Sequence, residues 1–345
     1  MRKLHKTLLL IFLMSLGCRA AEAQRLGWEV SAFGFFDNSE GDNIYRIADT
    51  YGGFRLQPSL SLTAPNGKHK VVGGYDALLE YGRKPRLDTD GLVGYYQYQD
   101  PRVRFLLGRY PRRLQRESMR DYLLTDSMRY FRTNMTGFDV LVSRPSGYVE
   151  LFLDWTFKRD SMVREQFMAG ALTRFHYGCF QIGMNGYYYH YANELPGKYA
   201  FEHGVHDNLL AHPYVGLSKR QAAGVLDSLD VRAGVLLNLD RDRATDGKWH
   251  TAAGFLGEAD VFWKRIVLSQ LLYLGKRQQY YGEEGFGKYY WGDAYYRSPW
   301  YARTDLSYIF LADKYVSLRC GVVFHFADKV TRWNQLLTLS VRMGH

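Results

Sequence analysis

The 345-residue sequence predicts an all-β fold, a transmembrane antiparallel up-and-down β-barrel of about sixteen strands. Three observations predict it. Apolar residues recur at every second position along most of the chain, so each segment has one oily and one polar face. The alternating runs are mostly nine to thirteen residues long. Crossing a bilayer takes roughly 9–11 residues per tilted strand, whereas strands of soluble sandwiches run about 5–6. The links between runs alternate between tight and long, which is how an outer-membrane barrel sorts its periplasmic turns and extracellular loops.

The chain opens with a leader. Arg2, Lys3 and Lys6 precede a short apolar run, Leu8 to Leu16, and Ala21-Glu22-Ala23 is a small-x-small cleavage site. This is the layout of a secretory signal peptide. The expected domains are therefore 1–23 as signal peptide and 24–345 as one barrel. A competing cut at Ser15-Leu16-Gly17-Cys18 would make a lipoprotein, but Ser15 fits that motif poorly. Removing the leader takes away four bases and one acid, so the net charge falls from +10 to +7. The two remaining cysteines, Cys179 and Cys320, are expected to be free.

Strands are expected near 26–37, 51–63, 69–81, 91–99, 102–110, 135–143, 148–157, 166–177, 179–192, 208–218, 229–239, 250–263, 266–276, 300–311, 315–326 and 334–343. In 54–63, Phe54, Leu56, Pro58, Leu60 and Leu62 alternate with Arg55, Gln57, Ser59, Ser61 and Thr63. In 148–158, Val149, Leu151, Leu153, Trp155 and Phe157 alternate with a mostly polar set. The tight links include Ala64–Lys68, Asp100-Pro101, Arg144–Gly147, Gly178, Lys264-Arg265 and Ala312–Lys314. Only 219–228 is long where a tight turn is expected. Pro58 is awkward in a paired strand because it lacks a ladder donor. Trp28, Phe36, Tyr51, Tyr110, Trp155, Tyr177, Trp263, Trp300 and Tyr301 lie near strand ends and are candidates for interfacial girdles.

Composition excludes other classes. Aromatics make up 16% of the chain, too many for a disordered one, and three cysteines are too few for a disulfide scaffold. No run of 18 apolar residues supplies a spanning helix. The mature charge is spread along strands and loops, so no nucleic-acid partner is expected.

The polar parity is rich in charge. Arg55, Arg104, Arg174, Arg232, Arg303, Arg319 and Arg342 are expected in the lumen, with Lys70 and the acids Asp76, Glu80, Asp139, Glu150, Asp154, Glu258, Asp260 and Asp305. Two readings stay open: an interlocked polar network that holds the barrel open or plugs it, or a charged pore wall.

The leader, the strand and loop layout and the alternating last strand resemble porin-like outer-membrane β-barrel proteins over essentially 24–345. Leu107-Gly108-Arg109-Tyr110-Pro111 and Phe152-Leu153-Asp154-Trp155 are similar to segments of uncharacterised barrels of this kind. The chain departs from them in ending Arg342-Met343-Gly344-His345, without the common terminal aromatic. General porins fold the loop after the fifth strand into the pore. The resemblance thus implies that 111–134 narrows the lumen with Arg112, Arg113, Arg116, Arg120, Arg129 and Arg132, which would favour anions. A surface loop on lipopolysaccharide phosphates would use the same arginines.

The aromatic segment 277–300 suits either sugar stacking or a compact loop core. Asp37–Asn43 and Asp240–Arg243 lack the spacing of a calcium loop, and His203 and His206 are read as a chance pair, so no metal or cofactor is expected. Neither a Gly-x-Ser-x-Gly elbow nor a His-Glu-x-x-His motif occurs, so no enzyme is expected. The expected function is passive diffusion of small, preferably anionic, solutes through a bacterial outer-membrane channel. The alternative is a closed scaffold barrel whose loops bind a glycan or protein partner. Expected partners are outer-membrane lipid, lipopolysaccharide and the barrel-insertion machinery.

Overall fold

In the computed structural model the chain forms a single antiparallel sheet closed on itself. The structure describes residues 24–83, 91–158, 165–192, 205–222, 226–282, 289–328 and 330–345; the expected leader lies outside them. The strands are β1 (Arg25–Ser39), β2 (Asp49–Thr63), β3 (His69–Tyr75), β4 (Ala77–Glu80), β5 (Leu92–Gln99), β6 (Val103–Pro111), β7 (Asn134–Arg144), β8 (Gly147–Phe157) and β9 (Gln166–Tyr177). They continue with β10 (Phe180–Ala192), β11 (Val205–Ala222), β12 (Leu226–Asp242), β13 (His250–Trp263), β14 (Ile266–Gly275), β15 (Trp300–Ala312), β16 (Val316–Ala327) and β17 (Val330–Gly344). β17 pairs back onto β1, with Glu29 opposite Gly344 and Ser39 opposite Asn334. β3 and β4 are halves of one wall strand broken at Asp76, both paired with β2, so seventeen segments make sixteen strands.

The break explains Pro58. Its register with Val30 of β1 is undisturbed. On the other side, Ser59 pairs with Gly74 and Leu56 with Ala77, which sets Pro58 beside the interruption. A residue without a ladder donor is tolerated where pairing already lapses.

Two links differ from expectation. β11 runs to Ala222 and β12 starts at Leu226, so the anomalous long link at 219–228 shrinks to 223–225, outside the described residues. At the other end of the barrel, 327–333 is no long loop: β17 begins at Val330 and carries Arg332 inward. Arg332 extends the strand because it donates to the carbonyl of Ile47 at 3.2 Å and to Ser39.

The faces follow the alternation. Leu56, Leu60 and Leu62 of β2 face out and are exposed, whereas Gln57 and Ser61 are buried inside. An outward apolar band around a polar interior is the membrane barrel's inversion of a soluble fold. Trp28, Phe36, Trp155, Tyr177, Trp263 and Trp300 are exposed on the outside. Tyr110 and Tyr301 are instead completely buried in the interior, and Tyr51 meets Phe131 edge-on there. Cys179 and Cys320 are free and exposed.

Candidate functional site

The segment after β6 does not stay at the rim. It turns through a short 3-10 stretch, Arg112–Leu114, crosses the lumen and returns by a helix, α1 (Asp126–Phe131), to β7. Thr125 caps α1 by accepting the Met128 backbone N–H. Met119, Tyr122, Leu123 and Leu124 are essentially inaccessible to solvent, so this plug has an apolar core of its own. The segment after β14 packs over it: Thr125 N–H donates to the Trp291 carbonyl at 2.8 Å and Asp293 N–H to the Asp121 carbonyl at 2.9 Å. Between them Gly292 presses on the plug, and a Cβ there would lie 2.0 Å from the Tyr122 carbonyl oxygen. Tyr290, Trp291, Tyr295 and Tyr296 are buried in this contact, so the aromatic segment forms a compact core.

Ion pairs fix the plug to the wall. Arg112 reaches Asp154 at 2.6 Å, Arg113 reaches Glu29 and Gln57, and Arg120 reaches Asp260 at 2.8 Å. Arg129 binds Asp121 and Asp126 within the plug, each at 2.6 Å. Arg116 uses its backbone N–H on Glu150 and lays its guanidinium over Tyr148, while Arg132 lies over Phe157 and Trp291. The six arginines are thus paired or stacked inside the barrel.

Wall arginines hold the plug in turn. Arg303 contacts Asp121 and Asp126 at 2.9 Å and Asp305 at 2.7 Å. Arg174 contacts Glu117 at 2.7 Å and Asp230 at 3.2 Å, and Arg232 contacts Asp230 at 2.8 Å. Arg104 meets Asp139 at 3.0 Å and also Glu150. Arg319 is half-buried on the inward parity of β16, and Arg342 lines an inner cavity at the periplasmic side.

Burial opposes charge in the plug, and the outcome depends on the partners. Burial would raise the Asp126 carboxyl, but Arg303 and Arg129 outweigh it and hold it below the ordinary aspartate range. For Asp293 burial prevails over Arg46 and Arg303, and its carboxyl is raised.

Among the cavities of the described residues, two share part of their lining. The inner one, about 620 Å³, opens among Ser31, Gln57, Arg113, Lys314 and Arg342. The outer one, about 870 Å³, is bordered by Glu80, Arg109, Arg132, Asp154 and Trp155. Both are lined by Arg55, Asp76 and Thr133. Asp76 accepts from Arg55 at 2.7 Å, Thr133 at 2.7 Å and Asn134 at 2.6 Å, while Arg55 also donates to the carbonyls of Tyr130 and Phe131. This node divides the cavities.

A further polar cluster lies outside the barrel. Tyr187, Tyr189 and Tyr191 of β10 are buried inward, so Tyr188 and His190 face out. His190 Nδ1 lies 2.9 Å from Asp207, which accepts from Tyr188 at 2.7 Å, Arg241 at 2.6 Å and Arg243 at 2.8 Å. Asp207 is wholly buried beneath these donors. In the sequence this cluster is dispersed over β10, β11 and the end of β12, where Asp240–Arg243 is weighed only as a calcium loop. Arg241 on the otherwise oily parity of β12, with Arg243 just past its end, was the available signal. His206 faces inward instead and stacks on Tyr289 at 4.2 Å; His203 lies outside the described residues.

Solved structures confirm the architecture. An anion-selective porin from Comamonas acidovorans superposes with a TM-score of 0.52 at 10% identity, covering 93% of this chain and 99% of that one. A loop-deletion mutant of OmpT from Vibrio cholerae gives 0.55 at 8% identity, covering 93% and 100%. Salmonella typhi OmpF, in complex with daunomycin, gives 0.51 at 9%, covering 93% and 98%. The porin-like barrel is shown; at such identities the likeness is one of fold. No curated protein matches the sequence. The family comparison corrects the expectation of a protein without enzymatic activity, because the matching family is one of enzymes. Across residues 18–344 the sequence matches, and the chain belongs to, the lipid A 3′-O-deacylase-type family.

Proposed function

We propose that the protein removes an ester-linked acyl chain from lipid A in the outer leaflet, with its plugged barrel serving as a rigid scaffold. The observation that carries this reading is the lumen. A segment held by Arg303, Arg174 and Arg120 fills the space that a general diffusion pore keeps open. Family membership supplies the reaction class, and a substrate embedded in the surrounding leaflet need not enter the lumen. The test is direct. Purified barrel in mixed micelles with lipid A should lower the lipid's mass by one acyl group, read by mass spectrometry. An unchanged mass after exhaustive incubation rejects the reading.

One observation favours a second activity, slow passage of small anions along the β2–β4 wall. The two cavities meet at a single node, Arg55–Asp76–Thr133. Asp76→Ala removes the acceptor of three donors and should join the cavities, leaving Arg55 facing the path. Planar bilayers should then show conductance steps several-fold larger than wild type, with anion preference. Wild-type and variant barrels that are equally silent would end this second reading.

A further inference from the structure

We infer that the outward cluster on β10–β12 is a site for a phosphate-bearing lipid, with Arg241 and Arg243 as its phosphate ligands and His190 as general base. The inference rests on the deacylase reading for the reaction but not for the binding.

Its position is set by register. Trp155 pairs with Phe167, Phe167 with His190, His190 with Asp207, and Asp207 with Arg241. Arg241 then stacks on Trp249, 4.4 Å from its ring centroid. The row begins at the exposed girdle residue Trp155, ends at the exposed Trp249 just before β13, and lies two pairs from the outer end of β10–β11. That is the level of lipid headgroups, where a charge on the lipid face costs far less than at the midplane. An aromatic belt ordinarily fills such a row. Here two guanidiniums, an imidazole and a phenol replace it.

The charge balance points to an anion. Among the described residues one carboxylate, Asp207, answers two guanidiniums, leaving an excess positive charge on a surface that meets lipid. Each arginine uses Nε and one terminal amino group on Asp207, and the other terminal amino group is outside those bonds. Arg243 is 47% exposed at its side chain. Planar guanidiniums with free N–H groups suit phosphate oxygens, and the phosphorylated headgroup of lipid A presents these at this depth.

The same carboxylate orients a base. Asp207 takes His190 Nδ1, and stacking on Phe167 at 5.1 Å fixes the ring plane. Nε2 is left to act on water. It accepts a proton as the water oxygen adds to the ester carbonyl carbon. The carbon–oxygen bond to the sugar then breaks, and the departing alkoxide takes the proton back from the imidazolium. Ester and water become fatty acid and alcohol, with no further reactant. A carboxylate-oriented histidine is the arrangement such a step needs.

The experiment separates binding from chemistry. His190→Gln should lower kcat about 10²-fold or more with KM little changed. The pair Arg241→Gln/Arg243→Gln should raise KM about tenfold or more and release lipid A that otherwise copurifies, as counted by native mass spectrometry. Dephosphorylated lipid A should bind wild type as weakly as lipid A binds the double variant. Inorganic phosphate at millimolar concentration should not displace the lipid; if it does so completely, free phosphate is the ligand and the lipid assignment falls. Heat-modifiable gel migration verifies that each variant is folded. If wild type deacylates and His190→Gln matches it, the catalytic assignment is overturned while the deacylase reading stands. If wild type fails to deacylate, that reading falls with the base, and the copurification arm alone decides the lipid site.

Discussion

Arg303→Ala should unplug the barrel. Arg303 is 3% exposed and, among the described residues, is the one side chain that joins Asp121 and Asp126 of the plug to Asp305 of the wall. Removing it leaves three carboxylates clustered without their shared cation. Breaking a buried ion pair by deleting one partner costs about 3–5 kcal/mol, because the remaining charge stays desolvated. The wall itself has its own ladder of strand pairs, so the loss should fall on the plug. Planar bilayers should show large steps absent from wild type, and limited proteolysis should cleave between Gln115 and Thr125 in a barrel that still migrates as folded. Arg303→Lys should fall between, since an ammonium cannot fork to three acceptors. A variant as closed and as resistant as wild type would show that the plug is held by its apolar core instead.

Acid should imitate that variant. Asp126 is held below its ordinary 3.8 by Arg303 and Arg129 against the opposing effect of burial. A carboxylate with a lowered folded value contributes fully above 3.8 and loses its contribution as pH falls through the folded value. Conductance should therefore rise below pH 3.8 and be reversible on neutralisation.

Gly292→Val should separate the two lumenal segments from each other. A Cβ at 2.0 Å from the Tyr122 carbonyl meets backbone rather than a movable side chain. The flanking hydrogen bonds, Thr125 N–H to Trp291 and Asp293 N–H to Asp121, cannot both survive the shift. Two lost bonds and the overpacking together cost roughly 2–5 kcal/mol. Hydrogen exchange should rise at Thr125 and Asp293 while the strands stay protected. Unchanged protection at those two amides would refute the close approach.

The wall was legible because its physics is local. Alternation along one strand decides which side chains meet lipid, so Leu56 and Gln57 can be sorted without any partner. Where the reading erred, a nearer cue displaced parity: Tyr110 looked like girdle at a strand end, although Arg104 six residues earlier fixes it as inward. The plug's charge was visible as six arginines, but their partners Asp154, Asp260 and Glu29 come from distant strands. Pairing them needs the closed barrel. The outward cluster was harder still, since Asp207, His190 and Arg241 become neighbours only through two registers. The proposed base left no linear trace for the same reason.

The seam between β1 and β17 has a consequence for biogenesis. Every other neighbour in the wall is adjacent in sequence and can zip as the polypeptide emerges, but Trp28 bonds His345 at 3.2 and 3.0 Å across the whole length of the chain. Until that junction is made, two raw edges face the lipid, where unmet amides cost several kcal/mol each. Zipping up the final ladder is thus a single late event, and an insertase that shields both margins until then would spare the nascent sheet from joining a stranger.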